Sequence, residues 1–153
     1  GARARAGARA RAGARARAGA RARALDTTNL VGHLAAWNYF QSAETDANAE
    51  FIESWKAKMG AERVTNDPME AHYIGFNMWV QAVNDAGTTD VDKVRGAMYG
   101  QTFPNLTGGM AEMLPNHHLA KPVLIGEIQA DGQFDIISQT TEVPGDAWTD
   151  FLK

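Results

Sequence analysis

The sequence predicts a mixed helix–strand domain, α/β or α+β, and three observations predict it. Val123–Gln129 and Gln133–Gln139 are rich in β-branched and aromatic residues and flank Asp131-Gly132, a hairpin signal. Asp67-Pro68-Met69-Glu70 opens a long apolar stretch in the manner of a helix start. Phe51, Trp55 and Met59 recur at a spacing of four, the helical period.

Taken in order, residues 1–24 are four copies of GARARA. Arginines and glycines fall only on odd positions, so a strand would carry one Ala face and one Arg/Gly face, whereas a helix would scatter the arginines. Neither form buries enough apolar surface to offset chain entropy, which predicts disorder or a solvated helix. The segment reads as a low-complexity, non-native repeat, a translated GC-rich stretch or an added tag; the functional alternative is a basic arm that grips phosphates. Leu30–Gln41 is a short apolar run ending in aromatics, expected to be a strand leading into a loop with nothing to pair to.

Ala47–Met59 is an expected helix with Asp46 as its N-cap and Gly60 past its end. Phe51, Trp55 and Met59, with Ile52 beside them, form its expected buried stripe. Asp67 is the expected cap of a second helix, Pro68 its first residue and Glu70 the partner in a capping box; it should run to Ala86 and stop at Gly87. That helix is apolar nearly all round (Tyr73, Ile74, Phe76, Met78, Trp79, Val80, Val83), which predicts packing on more than one side. A third helix is expected from Thr89 through Met98 with Val91, Val94 and Met98 inward, followed by a strand at Met110–Leu114.

Pattern chooses the register of the hairpin. A two-residue loop would set Phe134 against Gln129 and scramble both faces. A three-residue loop, Ala130-Asp131-Gly132, pairs Ile128 with Phe134 and Gly126 with Ile136, so that Leu124, Ile128, Phe134 and Ile136 share one face. Gly132 is then left-handed, as a G1 bulge needs. Pro144–Lys153 is a tail expected to fold Trp148 and Phe151 back onto the body. These parts do not close on themselves, and the second helix carries more apolar surface than its neighbours can cover. The chain therefore reads as the last part of a larger domain.

Composition divides the same way. Eight of the fifteen basic residues lie in the repeat, so residues 25–153 hold seven basic against eighteen acidic residues, a formal charge of −11. An acidic domain of this kind repels nucleic acid and anionic membranes, and no apolar run approaches the ~18 residues of a spanning helix. Cysteine is absent, which excludes disulfides and thiolate metal sites. No signal peptide is visible at the start of the sequence.

The blocks GHLAAWNYFQS, FIESWKAKMGAERVTNDPMEAHYIG, DVDKVRGAMYGQTF and NHHLAKPVLIGEIQADGQFDI, in that order, resemble the C-terminal third of the urea-type substrate-binding proteins of ABC transporters. These belong to the type I periplasmic binding family, which also includes branched-chain amino acid and short-chain amide binders. The resemblance covers about residues 30–140 and departs from the family's spacing in Phe103–Leu114. It implies an α/β fold, the C-terminal fragment of a two-lobed type I periplasmic binding protein. It also implies a solute receptor rather than an enzyme, periplasmic or on the cell surface, with ABC permease subunits as partners.

Two lobes closing on urea or a short amide need several acceptors, a donor and flat apolar walls. Trp37, Asn38 and Tyr39 fall where a hinge-crossing strand should end, and Asp67 and Glu70 lie at a helix start near the cleft; these are the candidate ligand-binding residues. Each also has a structural reading: Trp37 and Tyr39 as core aromatics, Asn38 as a bend, Asp67 and Glu70 as caps. His117-His118 would point to opposite faces of a strand, and His33 and His72 add no metal-site spacing, so no metal or other cofactor is expected. Two further readings remain: an amide-responsive regulator with the same fold, and an Arg-rich module for nucleic acid or an acidic partner.

Overall fold

The structure, a computed structural model, describes residues 28–146 and 148. The GARARA repeat and Phe151 lie outside the described residues. After a short 3-10 turn at Thr28–Leu30, the chain forms β1 (Leu34–Trp37), α1 (Asp46–Met59), α2 (Asp67–Ala86) and α3 (Val91–Met98). It continues through β2 (Thr102–Pro104), β3 (Met110–Met113), β4 (Leu119–Ala120), β5 (Leu124–Ile128) and β6 (Phe134–Gln139).

The strands form two antiparallel three-stranded sheets, β1-β5-β6 and β2-β3-β4. The chain leaves the first sheet at Trp37, builds three helices and the second sheet, and returns at Lys121 to lay β5 against β1. Its elements therefore fall into two groups. α2 packs on α3 and on β2, whereas β1, β5 and β6 pack among themselves.

The buried apolar residues divide accordingly into three clusters. Ala35, Phe40, Leu124, Ile128 and Phe134 form the core of the first sheet. Ile74, Met78 and Ala111 join α2 to the second sheet. Tyr39, Phe51 and Leu106 sit between. Tyr39 and Phe40 are adjacent in sequence yet belong to different clusters: Tyr39 points to the middle one and Phe40 back to the core of the first sheet.

The hairpin adopts the three-residue loop. Ile128 faces Phe134, Gly126 faces Ile136, and the Gln129 N–H donates to the Gln133 carbonyl at 2.9 Å. Gly132 is left-handed at φ 78° and returns a hydrogen bond to the Gln129 carbonyl. A second irregularity lies between Ile125 and Gly126: their partners are Ser138 and Ile136, which leaves Ile137 as the extra residue, 51% exposed. Gly126 is required by close approach, because a Cβ there would sit 2.8 Å from the ring of Phe40. Phe40 in turn stacks on Phe134 with ring centroids 4.5 Å apart, clamping the crossing chain onto the sheet.

Several expectations need correction. β1 does have a partner, pairing antiparallel with β5. The caps of the first two helices each lie one residue earlier than predicted: Thr45 caps α1 and Asn66 caps α2, each side chain accepting from the N–H three residues on. An Asn or Thr already in extended geometry does the work that was assigned to the following aspartate. α3 is capped by Asp90 and begins at Val91, which is 76% exposed rather than inward. Met59 is 48% exposed, because the apolar stripe of α1 runs off its packed end. Trp148 is exposed and does not fold back on the body. The short strands β2 and β4 carry no strand pattern of their own and form only by pairing with β3.

The all-round apolarity of α2 resolves into two opposed stripes. Ile74, Met78 and Ala82 are fully buried, whereas Phe76 and Trp79, on the opposite side of the helix, are 63% and 44% exposed, and Tyr73 lies on the flank with its ring against Phe51 and Phe103. Leu34 on the first sheet is 53% exposed.

Candidate functional site at the paired crossings

Two stretches connect the sheet body to the helical body: residues 38–45 going out and 121–123 coming back. They are tied to each other by the Asn38 side chain, whose Nδ2 donates to the Pro122 carbonyl at 2.7 Å. The Asn38 main-chain N–H donates to Asp67 Oδ1 at 3.1 Å. On the returning stretch, the Lys121 ammonium lies 2.5 Å from Glu70 Oε2, with both side chains buried. Because Asn66 takes the cap, neither Asp67 nor Glu70 is needed by the helix end, and both carboxylates of the first turn of α2 are free to hold the crossings.

Electrostatics at this node are set by burial. Desolvation pushes the Asp67 carboxyl above the usual carboxylate range, against the pull of Lys121 and the main-chain N–H groups of Asn38 and Tyr39. The Glu70 carboxyl is raised by the same cause, with Lys121 opposing and the Asp67 charge adding to it. Glu70 is 0% exposed, and its Oε1 has no hydrogen-bond partner among the described residues. Tyr39, also fully buried, has its phenol pushed above the ordinary range, first by burial.

The Tyr39 hydroxyl donates to Asn48 Oδ1 at 2.7 Å and shares a 2.6 Å hydrogen bond with Thr65 Oγ1. Asn48 Nδ2 donates to the Gln41 and Ala43 carbonyls, and the Thr65 N–H donates to Gln41 Oε1 at 2.7 Å. The outgoing crossing is thus held along its length by polar partners.

Of the five candidate residues, four meet here. Asn38, Tyr39, Asp67 and Glu70 form one node, with Tyr39 as a buried post and Asn38 as the link between strands. Trp37 ends β1 and packs, half-buried, against the core of the first sheet. Lys121 was missed, as were Asn48 and Thr65. The signal for Lys121 was present: it is the single charge in the apolar run LAKPVLIG, and a lysine there must be paired if buried. Beside the node, a groove of 370 Å³ between α1 and α2 is lined by Phe51, Trp55, Met69 and Tyr73 with polar Lys58 and His72 at its side. Among the described residues no group of His, Asp or Glu is arranged to hold a metal, and Asn105 of the Asn105-Leu106-Thr107 sequence is buried.

Two separately packed groups of elements joined by tied crossings, with a buried polar node where they meet, define the class as a mixed α/β fold. The chain belongs to the periplasmic binding protein domain family, which it matches over residues 14–153. Solved structures agree on the fold. The solute-binding protein of an ABC transporter from Rhodopseudomonas palustris BisB5, in complex with 3,4-dihydroxy benzoic acid, superposes with a TM-score of 0.66 at 19% identity, over 78% of this chain and 35% of that one. An amino acid ABC transporter substrate-binding protein from Pseudomonas fluorescens Pf-5 gives 0.63 at 23% identity, over 80% and 34%. A Brucella ovis protein binding leucine, isoleucine, valine, threonine and alanine, in a closed conformation, gives 0.63 at 18%, over 76% and 33%.

The chain therefore spans about a third of the length of these relatives and is a fragment of their fold. A protein of Geobacillus stearothermophilus named limonene hydroxylase is 35% identical over 106 residues, 69% of this chain but 19% of that one. The first two of these solved structures are named as solute- or substrate-binding proteins of ABC transporters.

Proposed function

We propose that this chain is the C-terminal segment of a non-enzymatic ABC-transporter receptor for urea or short-chain amides, which closes two lobes on its ligand and presents it to permease subunits in the periplasm or at the cell surface. The observation that carries the receptor reading is the pair of tied crossings between two separately packed bodies, the arrangement a hinge requires. The amide class rests on the four ordered sequence blocks and on the acceptors gathered at the node. Urea and short amides are donor-rich, and Asp67 with Glu70, whose Oε1 is unpartnered, supplies acceptors at the hinge. Trp37, Asn38 and Tyr39 complete the proposed site, Trp37 and Asn38 at its edge and Tyr39 behind them, with the aromatic groove beside α2 as a flat wall.

The neighbours' own ligands differ: 3,4-dihydroxy benzoic acid in one case, small amino acids from alanine and threonine to leucine in another. Calorimetry on the complete receptor chain that contains residues 25–153 separates these ligand classes. The expected result is saturable heat with urea or acetamide and none with leucine or benzoate; the reverse pattern sinks the amide assignment. The chain of 153 residues alone is expected to bind urea negligibly.

A further inference from the structure

Asp67 and Glu70 stand three residues apart on one face of α2, and each reaches a different crossing. Asp67 accepts the Asn38 N–H of the outgoing strand, and Glu70 takes the Lys121 ammonium of the returning one. The two crossings are joined to each other by Asn38 Nδ2 and the Pro122 carbonyl. Lys121 is also fixed at its main chain, which exchanges hydrogen bonds of 3.1 and 2.9 Å with Val143 beyond β6. The contacts close a loop: helix to outgoing strand, outgoing strand to returning strand, returning strand to helix.

We infer that Asp67, Glu70 and Lys121 are positioning residues that set the angle between the two bodies, a double tether that holds both crossings against the first turn of one helix. The inference rests on the hinged-receptor reading and deepens it. Residues proposed to supply ligand acceptors would also hold the hinge, so ligand capture and lobe orientation would share the same carboxylates. The alternative chemistry is a ligand-only role for Asp67 and Glu70, in which the hinge angle is indifferent to them.

The test uses the whole chain, which has no native cysteine. Spin labels at Ala130→Cys on the hairpin loop and Lys93→Cys on α3 report the distance between the bodies by pulsed dipolar spectroscopy. Unaltered apart from the labels, the chain is expected to give one narrow distribution. Glu70→Gln and Asp67→Ala are each expected to widen it at least twofold with helix content unchanged by circular dichroism, and Lys121→Arg to keep it narrow. Val94→Ala, a comparable loss in the helical body away from the node, should lower the melting temperature without widening the distribution.

Should Glu70→Gln fail to fold, Asp67→Ala, whose residue is partly exposed, carries the test. Unchanged widths in the tether variants, or equal widening in Val94→Ala, overturn the proposal. The distance is read without ligand, so a failure of urea binding would count against the receptor's amide assignment and leave this result standing.

Discussion

Glu70 and Lys121 come from elements fifty-one residues apart and are buried together. Removing one partner of such a pair is worse than removing both, because the survivor is left charged and unpaired. Glu70→Leu, which leaves the buried Lys121 ammonium with no side-chain acceptor at that position, is expected to destabilise the chain by about 3–5 kcal/mol in guanidinium denaturation. Lys121→Met should cost less, since Glu70 can escape by taking up a proton that burial already favours. The double change Glu70→Leu/Lys121→Met should recover most of the loss; a double variant as weak as Glu70→Leu would contradict this account.

Both node carboxyls are raised by desolvation, which fixes a sign. The folded state holds these protons more tightly than the unfolded chain does, so ionisation costs stability. That cost is complete above the raised folded values and is relieved as pH falls through them toward the ordinary carboxylate range. Lowering the pH through those raised values should therefore raise the melting temperature, and the combined Asp67→Asn/Glu70→Gln change should flatten the slope. A melting temperature that falls steadily from neutrality would show that some other ionisation governs stability.

At the scale of elements, Gly126 and the caps carry the sharpest expectations. Gly126→Ala drives a methyl into the ring of Phe40 and should cost about 1–3 kcal/mol of stability. Asn66→Ala should cost about 1 kcal/mol through the lost cap of α2. Both are measurable by chemical denaturation, and an Asn66→Ala variant of full stability would return the capping role to Asp67.

The hairpin register was legible in the sequence because a period of two admits one alignment that keeps Leu124, Ile128, Phe134 and Ile136 together. The bulge at Ile137 was not, since nothing in the local pattern separates an outward isoleucine from an extra one. Helix existence was legible and the starts of α1 and α2 were off by a residue, because Thr45-Asp46 and Asn66-Asp67 each offer two competent caps and backbone geometry chooses between them. The node was half legible. Asp67 and Glu70 could be singled out from type and spacing, but their partners Asn38 and Lys121 are tertiary, and no local rule pairs residues from opposite ends of the chain.

At the scale of the molecule, α2 is a layer with one side covered and the other open. Phe76 and Trp79, stacked at 5.8 Å, form an exposed aromatic face, and the first sheet exposes Leu34 and Ile137. In a fragment spanning about a third of its solved relatives, these are the surfaces where the remaining part of the fold would pack. The chain alone is therefore expected to bind a hydrophobic dye. Taken without the arginine-rich repeat, residues 25–153 carry a formal charge of −11, which should hold copies of that segment apart at low salt. Light scattering should accordingly show association growing as salt is added, and a monomer unaffected by salt would mean the open faces are too small to matter.

The hydrogen bond between Asn38 and the Pro122 carbonyl brings the start and finish of a long excursion to within 2.7 Å of each other. Everything between them, residues 39–121, is thus inserted into the sheet body by way of a narrow neck. Segments whose termini meet are the ones that tolerate grafting and circular permutation. This excursion should be exchangeable, as one cassette, with its counterpart from another protein of the fold.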